Sequence, residues 1–495
     1  MLLKNLNSRH PCSDQKLFLK YKCLYEGGKL FRDNIRLFIA QNPNEDYKSY
    51  MLRQQESCYS SNIGSIVDKF ANQVFQAPYA VRATGIDGYQ VELDPFYNDF
   101  KEDVDNMGCD LSSFFKKQFI TSLVCGKSFW IAEMPDDGGI EPVDVDDWKN
   151  RGLDRARILP IEPENVLDYE CDEFGDYNWV IVYSKTFARL DPRFERKFIT
   201  ETWKVYDRET VEVFSITYDP NGTKPKPTDD IPSRGKYPHR FSRVPILCLD
   251  MDPGMWILDR GADAQTEHFK LSCALGWSLR RVCFPEKIIK LQNKDELPTP
   301  GAAMFMGIEE SVSYAEITGS GLDIVENRIK TLESQLDKLS HQMASSADSD
   351  AALGRSGLSK MTDQEATAIC CRAYATYVKE AIEKTYELIS DARNEFDISF
   401  SIEGMNQYSF VDATTLVNNA KIVKELGIPS ETLYKELYGR VADAMLPPDL
   451  QQDIKDLIKQ EINEAEIETE PEEIDPMANM NEDPAKEGMD ALDES

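Results

Sequence analysis

The segment LDIVENRIKTLESQLDKLSHQM, residues 322–343, decides how the second half of the chain folds. Its apolar residues recur at alternating intervals of three and four positions, and they are Leu322, Val325, Ile329, Leu332, Leu336, Leu339 and Met343. This heptad spacing predicts a helix that packs lengthwise on another helix. A helix of this length extends over about 33 Å. The spacing alone fits the seam of a dimeric coiled coil equally well.

The residues before this segment predict a second long helix. It runs from Trp256 to Phe284, because Pro285 cannot continue it. Residues 286–320 then predict a short strand-and-loop excursion that carries three lysines, Lys287, Lys290 and Lys294. The order is therefore helix, short β-rich excursion, helix.

The residues after the heptad lose all periodicity. Residues 344–361 are small and polar, which is typical of a mobile loop. Thr362 and Glu365 form a capping box that predicts the start of a long helix, ending near Asn394. A brief strand and three capped helices are predicted next, at Ile398–Ile402 and from Asp412, Ser430 and Asp449.

The first half of the chain predicts helices followed by a sheet. An amphipathic helical run covers about 45–75, and a later helix restarts at Asp110 as its N-cap. A strand follows Gly126, and residues 155–217 predict an antiparallel β meander. Residues 219–240, rich in proline, glycine and charge, predict a loop.

Composition limits the classes of function. The 495 residues predict about three core-sized units. The net charge of −31 argues against tight binding of duplex DNA, which requires a basic surface. From Glu464 to Ser495 there are 13 acidic residues and one basic residue, which predicts an acidic tail that does not fold alone. Eleven cysteines without regular spacing predict reduced thiols, and no stretch predicts a signal peptide or a membrane span.

The best candidate for a catalytic motif is Gly126-Lys127-Ser128, which resembles the end of a phosphate-binding P-loop. Thr121 occupies the position where that loop requires glycine. The predicted order is also reversed, since a P-loop lies between a strand and a following helix. A glycine that ends a helix is the better interpretation of this stretch.

No other pattern predicts catalysis or a metal. The histidines are scattered, at His10, His239, His268 and His341, which predicts ordinary surface or packing roles. The acidic run Asp144, Asp146 and Asp147 is better read as a solvated loop than as a metal site. No cofactor, metal or catalytic residue is therefore expected, and the chain is expected not to be an enzyme.

In its order of elements the chain resembles the portal proteins of tailed double-stranded DNA bacteriophages, of the SPP1-like type. The resemblance covers roughly residues 20–460 and rests on the order of individually weak motifs. These are the stretches Leu24-Tyr25-Glu26-Gly27-Gly28, Asp103-Val104-Asp105-Asn106-Met107-Gly108, Leu123–Trp130, Ile161–Asp168 and Leu426–Leu433.

The resemblance implies an α+β, predominantly helical portal fold with wing, stem, clip and crown regions. The implied regions are an N-terminal wing (1–254), stem helix 1 (255–285), the clip (286–320), stem helix 2 (321–343), the channel loop (344–361), a long wing helix and strand (362–410), crown helices (411–463) and the acidic tail (464–495). The heptad residues would then pack the stem.

The resemblance also implies the partners. Twelve subunits would form a ring at one capsid vertex of the virion, assembled in the host cytoplasm, with double-stranded DNA passing through it. The ring would contact the major capsid protein and the scaffold. The clip lysines would face the large terminase subunit and later the head-completion adaptors. No membrane is expected among the partners.

Four cations are the candidates for contact with DNA in the implied channel. Arg355 and Lys360 are the only basic residues of segment 344–361, although pairing with Asp348 or Asp350 explains them nearly as well. Lys330 and Lys338 lie eight positions apart, near one face of the heptad helix.

Two other classes of protein remain open. A packaging ATPase or nuclease would turn over nucleotide or require a divalent metal. A scaffolding protein would form elongated dimers, as the heptad and the acidic tail suggest. The β meander and the mixed composition favour the portal interpretation over the scaffold.

Overall fold

The structure is a computed structural model of the whole chain. It describes residues 1–43, 45–135, 143–189, 197–222, 224–283, 286–290, 311–315, 320–339, 357–405, 408, 417–418, 420–423, 426, 430–445, 457–458, 460–462 and 464–465. The chain divides into two compact units, Met1–Tyr408 and Ser409–Ser495. The predicted α+β class, with helix in excess of strand, is confirmed.

The described helices lie mostly in the first unit. Their bounds are α1 Leu3–Leu6, α2 Gln15–Glu26, α3 Gly28–Asp33, α4 Tyr47–Glu56, α5 Asn62–Gln76, α6 Pro95–Glu102, α7 Leu111–Cys125, α8 Val145–Asn150, α9 Ile257–Cys283, α10 Ser320–Leu339, α11 Gly357–Ala392 and α12 Glu431–Met445. Short 3-10 turns occupy Ile35–Leu37 and Pro163–Asn165.

The described strands form four antiparallel sheets. Their bounds are β1 Tyr79–Gly85, β2 Gln90–Val91, β3 Lys127–Glu133, β4 Arg157–Ile161, β5 Val166–Cys171, β6 Tyr177–Arg189, β7 Lys197–Tyr206, β8 Thr210–Tyr218, β9 Ser233–Pro238, β10 Ile246–Asp250, β11 Glu286–Lys290, β12 Ser311–Ala315 and β13 Ile398–Gly404. The orders are β13-β1-β2, β10-β3-β4, β5-β6-β7-β8-β9 and the pair β11-β12.

Local sequence explains where the helices begin and end. The carboxylate of Asp110 accepts from the backbone N–H of Ser113 at 2.9 Å, which confirms Asp110 as the N-cap of α7. Gly126 ends α7 in the left-handed region, at φ 81°. A Cβ atom there would lie 3.0 Å from the indole ring of Trp256. Glycine is therefore required both by the backbone conformation and by the lack of space for a side chain.

The main core lies among α5, α7, α9 and α11. The apolar face of α5, with Ile63, Val67, Phe70 and Val74, is fully buried. Trp130 on β3 is also fully buried, and its indole N–H donates to the hydroxyl of Thr385 on α11 at 3.1 Å. The long helix α11 is thereby fixed against the sheet that follows α7.

The predicted meander is confirmed as the five-stranded sheet β5–β9. One face packs Leu167, Ile181, Trp203 and Phe214 beneath α1, where the indole N–H of Trp203 donates to Asn7 at 3.0 Å. The other face packs Val180 and Tyr206 against residues of β3 and β10. Both faces of the sheet therefore carry buried apolar residues, so apolar and polar residues alternate only weakly along its central strands.

Three predicted boundaries are wrong. The helical run at 45–75 is two helices, because residues 57–61 leave the helix before Ser61 caps α5. The predicted loop 219–240 contains strand β9. The long helix begins at Gly357, so the predicted capping box at Thr362 lies inside α11. A helix can extend past a good capping pair when the residues before it also adopt helical dihedrals.

The second unit is described mainly around α12. The predicted start at Ser430 is confirmed, since its hydroxyl accepts from the backbone N–H of Leu433 at 3.4 Å. Tyr434 is buried, and its hydroxyl donates to the carbonyl of Val423 at 3.2 Å. The helix starts predicted at Asp412 and Asp449 lie outside the described residues, as does most of the acidic tail.

A buried arginine joins α11 to the elements around α6 and α8. The side chain of Arg393 is 0% exposed and lies 3.1 Å from Glu395, 3.3 Å from Asp154 and 3.4 Å from Asp94. Its guanidinium also stacks 4.2 Å from the ring centroid of Phe96. A buried charge with this many partners is costly to leave incomplete.

We expect Arg393→Met to lower the free energy of unfolding by about 3–5 kcal/mol, because it leaves three carboxylates without their cation. Urea unfolding measures the change. Arg82→Met, which removes an exposed pair with Glu403 at 3.0 Å, is the matched control and should cost under about 1 kcal/mol. Equal losses for the two variants would contradict this prediction.

The Arg393 effect should also depend on pH. Burial raises the pKa of Asp94, but hydrogen bonds from Lys149 and Phe96 and the charge of Arg393 outweigh it and hold that pKa below its usual range. A depressed carboxylate pKa stabilises the fold above the unfolded value of about 4, and that contribution is lost as pH falls through the folded pKa. The difference between wild type and Arg393→Met should therefore shrink at low pH.

Candidate functional site

The first part of α9 is built into the core. The indole N–H of Trp256, just before the helix, donates to the carbonyl of Val124 at 3.1 Å. Gln265 is 0% exposed; its side chain accepts from the N–H of Ile63 at 3.1 Å and donates to the carbonyl of Ser60 at 2.9 Å. These bonds hold α9 against α5 and α7.

An aromatic cluster adds packing at the next turn. Phe269 is buried, and its ring lies edge-on to Phe31, Phe38 and Tyr59, with centroid distances of 4.9, 6.5 and 5.6 Å. Edge-to-face pairs of this kind add about 0.5–1.5 kcal/mol each beyond the burial of area. α9 is therefore firmly positioned as far as Phe269.

The heptad helix packs on α9, as predicted. Leu332 and Leu336 are 1% exposed, while Leu322, Val325 and Ile329 are half-buried. The side chain of Leu339 and all of Met343 lie outside the described residues. The partner helix that the heptad predicts is therefore α9 of the same chain, which covers the seam fully at Leu332 and Leu336.

Polar contacts fix the register of the two helices. The ring of the buried His268 lies 3.1 Å from the carboxylate of Glu333. Arg328 donates to both carboxylate oxygens of Glu267, at 3.0 and 3.1 Å. This two-point contact is specific in geometry, although exposed pairs contribute only about 0.2–1 kcal/mol. No pattern in the sequence indicated this role for His268.

Burial decreases along the helix pair. On the seam of α10, Leu332 and Leu336 are buried, whereas Leu322 and Val325, nearer its start, are only half-buried. Ile324, in the same first turns, is 72% exposed. On α9, Leu279 is 45% exposed, ten positions beyond the buried Phe269. Ile324 is off the heptad seam, which is why the sequence pattern did not single it out.

The strand pair β11–β12 lies between the two helices in the chain. The predicted short strand is confirmed, and Lys287 and Lys290 lie on β11 opposite Tyr314 and Ser311. Lys294 lies outside the described residues. The structure therefore places two of the three predicted clip lysines, Lys287 and Lys290.

The predicted channel cations are not brought together by the described residues. Lys330 is exposed and pairs with Glu326 of its own helix at 3.0 Å, and Lys338 is exposed on the same helix. Lys360 lies within α11 and not in a loop. Arg355 lies outside the described residues.

The Gly126-Lys127-Ser128 stretch has the predicted order of helix first and strand second. Lys127 begins β3, and its ammonium group lies 2.8 Å from the carboxylate of Asp250 on β10. Burial lowers the pKa of Lys127, but the hydrogen bond and charge of Asp250 outweigh it and raise the pKa above its usual range. Lys127 therefore forms an ion pair between the neighbouring strands β3 and β10, which is a structural role.

The described residues contain neither a metal-binding cluster nor a membrane-spanning helix. No group of three or more histidine, cysteine or acidic side chains there could hold a metal ion. Among the described helices, none combines the length and apolar character that a bilayer span requires.

The solved structures that are similar to this chain include two from native gene transfer agent particles. No family model and no curated protein matches the chain. The chain is similar to a chain in the virion of a native gene transfer agent particle, with a TM-score of 0.38 and 13% identity over 87% of this chain and 98% of that one. It is also similar to a chain in the neck of the native particle, computed with C12 symmetry, with a TM-score of 0.36 and 12% identity over 86% and 98%.

The gradient of burial predicts different costs at the two ends of α10. Leu336→Ala should lower the free energy of unfolding of the monomeric chain by about 2–5 kcal/mol, because it leaves a cavity between α9 and α10. Ile324→Ala, at the exposed end of the same helix, is the control and should change it by less than about 0.5 kcal/mol. Chemical denaturation of both variants distinguishes the sites, and a large loss for Ile324→Ala would contradict this placement.

Proposed function

We propose that this chain is a phage-type portal protein, a non-enzymatic subunit of a twelve-fold ring through which double-stranded DNA enters and leaves a capsid. One observation carries the proposal. Two long antiparallel helices, α9 and α10, are joined through a strand pair, fixed in the core at one end and progressively exposed toward the other. In this proposal they are the stem helices and β11–β12 belongs to the clip.

Exposed apolar side chains on the helix pair support assembly. Ile324 is 72% and Leu279 is 45% exposed in the isolated chain. In a ring, each helix pair would lie between two others, and a heterologous contact repeated around a closed ring would cover such residues. The half-buried residues Leu322 and Val325 would gain further burial in the same contact.

Charge supports the proposed role in DNA passage. A net charge of −31 repels the duplex from most of the surface, which keeps DNA from binding as it moves. Each cation that contacts a phosphate adds a salt-dependent increment of affinity, so a conduit should have few. In the proposal these contacts come from Lys330, Lys338, Lys360 and Arg355.

The remaining partners follow from the same proposal. The strand pair with Lys287 and Lys290 would dock the large terminase subunit and later the head-completion adaptors. The rest of the ring would contact the major capsid protein and the scaffold at one vertex of the virion, after assembly in the host cytoplasm. The motor, and not this chain, would hydrolyse ATP, and Lys127 has a structural partner in Asp250.

Negative-stain electron microscopy with native mass spectrometry tests the assembly. We expect closed rings with a central hole and a mass near twelve times 56.4 kDa. Ile324→Asp should abolish them while leaving the folded subunit intact, because the exposed apolar surface would then carry a charge into the contact. Lys185→Asp, on an exposed position of β6, serves as the control and should leave rings unchanged.

Two results would overturn the proposal. Elongated dimers in place of rings would indicate a scaffolding protein. ATP hydrolysis by the purified chain that is lost in Lys127→Ala would indicate a packaging ATPase.

The segment before α11 provides a separate test. Deletion of residues 350–356, which includes Arg355 and leaves α11 whole from Gly357, should preserve rings and reduce packaged DNA in an assembly reaction with capsid and motor proteins. Normal packaging by the deletion variant would remove this segment from the proposed channel. Loss of rings would show that the segment serves assembly.

A further inference from the structure

A second candidate site lies in the first unit, formed by residues other than those of α9, α10 and β11–β12. A cavity of about 960 Å³ opens where β3 and β4 meet the meander strands β7–β9. Its apolar wall includes Ile131, Tyr206, Val211 and Phe241. This volume lies at the upper end of the range of about 300–1,000 Å³ that is typical of ligand sites.

Lys204 is the cation of the cavity wall that is available to a ligand. It lies on β7 between Val182 and Val213 of the neighbouring strands, on the same face as Tyr206, and its side chain is half-buried at the cavity. It makes no ion pair with any residue that the structure describes. Because its side chain is only half-buried, the ammonium group can reach an external anionic group at the cavity and form a charge-assisted hydrogen bond with it.

The charged side chains that line the cavity are one acidic residue, Glu133, and three basic residues, Arg157, Lys204 and Arg240. Glu133 is neutralised by Arg157, which donates to it at 2.8 and 3.1 Å. Arg240 is a further cation of the wall, and its backbone lies in the left-handed region at φ 67°, a conformation that costs a non-glycine residue energy. In a chain with a net charge of −31, this wall is a local exception.

The strand at the cavity edge can accept a further strand. β9 is the last strand of the meander, and within the described part of the chain it pairs only with β8. Tyr237 and Pro238 of β9 line the cavity, and Tyr237 is 53% exposed. An extended peptide can hydrogen-bond to such an open edge while its alternate side chains enter an adjacent pocket.

From these observations we infer that the cavity binds an extended acidic peptide of a partner protein, with one of its carboxylates paired to Lys204. Backbone pairing along β9 supplies affinity, and the cationic wall selects carboxylate side chains. Repulsion from the acidic remainder of the surface directs the peptide to this place. The inference does not depend on the portal proposal.

The test uses the full chain and a fluorescein-labelled decapeptide of alternating glutamate and valine, followed by fluorescence anisotropy. We expect saturable binding that weakens with salt, and at least tenfold weaker binding of the glutamine–valine peptide. Lys204→Met should weaken binding of the glutamate peptide at least tenfold. Lys185→Met is the matched control, because Lys185 lies on the opposite face of the same sheet, 3.8 Å from Glu201, and should bind as wild type does.

A stability measurement separates a binding role from a structural one. Lys204→Met should leave the urea midpoint unchanged, since a half-buried lysine without an ion pair among the described residues contributes little to stability. A lower midpoint would show that Lys204 stabilises the fold, and would overturn the inference. The inference would also be overturned if wild type and Lys204→Met bound the glutamate peptide equally, or if the peptide did not bind at all. Displacement of the bound peptide by duplex DNA would overturn it as well.

Discussion

The buried amide of Gln265 holds the helix pair to the rest of the molecule. Ile63 is in the first turn of α5, where backbone N–H groups have no partner within the helix, and Gln265 supplies the acceptor from α9. The same amide donates to the carbonyl of Ser60 in the segment that leads into α5. Because the residue is 0% exposed, loss of either bond leaves a buried polar group unsatisfied, at a cost of about 1–3 kcal/mol. The position of α9 therefore follows from the start of α5.

This anchoring explains why burial is uneven along α9 and α10. Phe269 lies one turn beyond Gln265, inside the aromatic cluster, and Leu336 of α10 belongs to the same core. Farther along, the two helices cover one another only through their shared seam, so Leu279 and Ile324 stay exposed. A helix pair that is fixed at one end can present its other end to neighbouring subunits without losing its own stability. That arrangement is what a ring of repeated subunits requires of each member.

The sequence predicted those parts of the structure that depend on local pattern. The heptad pattern of α10 and the proline at position 285 predicted the bounds of α10 and the end of α9 within a few residues. Both signals depend only on residues that are close in sequence. The predicted N-cap of α7 at Asp110 and its end at Gly126 were likewise correct, because both depend only on residues adjacent in sequence. The start of α11 at Gly357 was missed because a favourable capping pair at Thr362 does not forbid helix before it. Strand β9 was missed because its sequence, SRGKYP, has no alternation and forms a strand only through pairing with β8.

The candidate sites could be predicted less well, because they arise from elements far apart in sequence. Nothing near Gln265 or His268 in the chain indicates Ser60 or Glu333 as partners. Lys204 is one of many lysines by sequence, and only the strand register places it between Val182 and Val213 at the cavity wall. The channel cations show the opposite case, since Lys330 was identified by position on a helix and its partner Glu326 lies one turn away.

The acidic charge of the chain connects the two proposals. For DNA in a channel, a wall with few cations lowers the number of phosphate contacts, and the salt-dependent part of the affinity falls with each contact removed. For an acidic peptide the same surface is repulsive everywhere except where cations are concentrated, so discrimination arises from what the rest of the surface excludes as much as from what the cavity attracts. Lys330 and Lys204 differ in this respect. The first is neutralised by Glu326 on its own helix, which suits a contact that must be weak, whereas the second has no carboxylate among the described residues, which suits a contact that must be held.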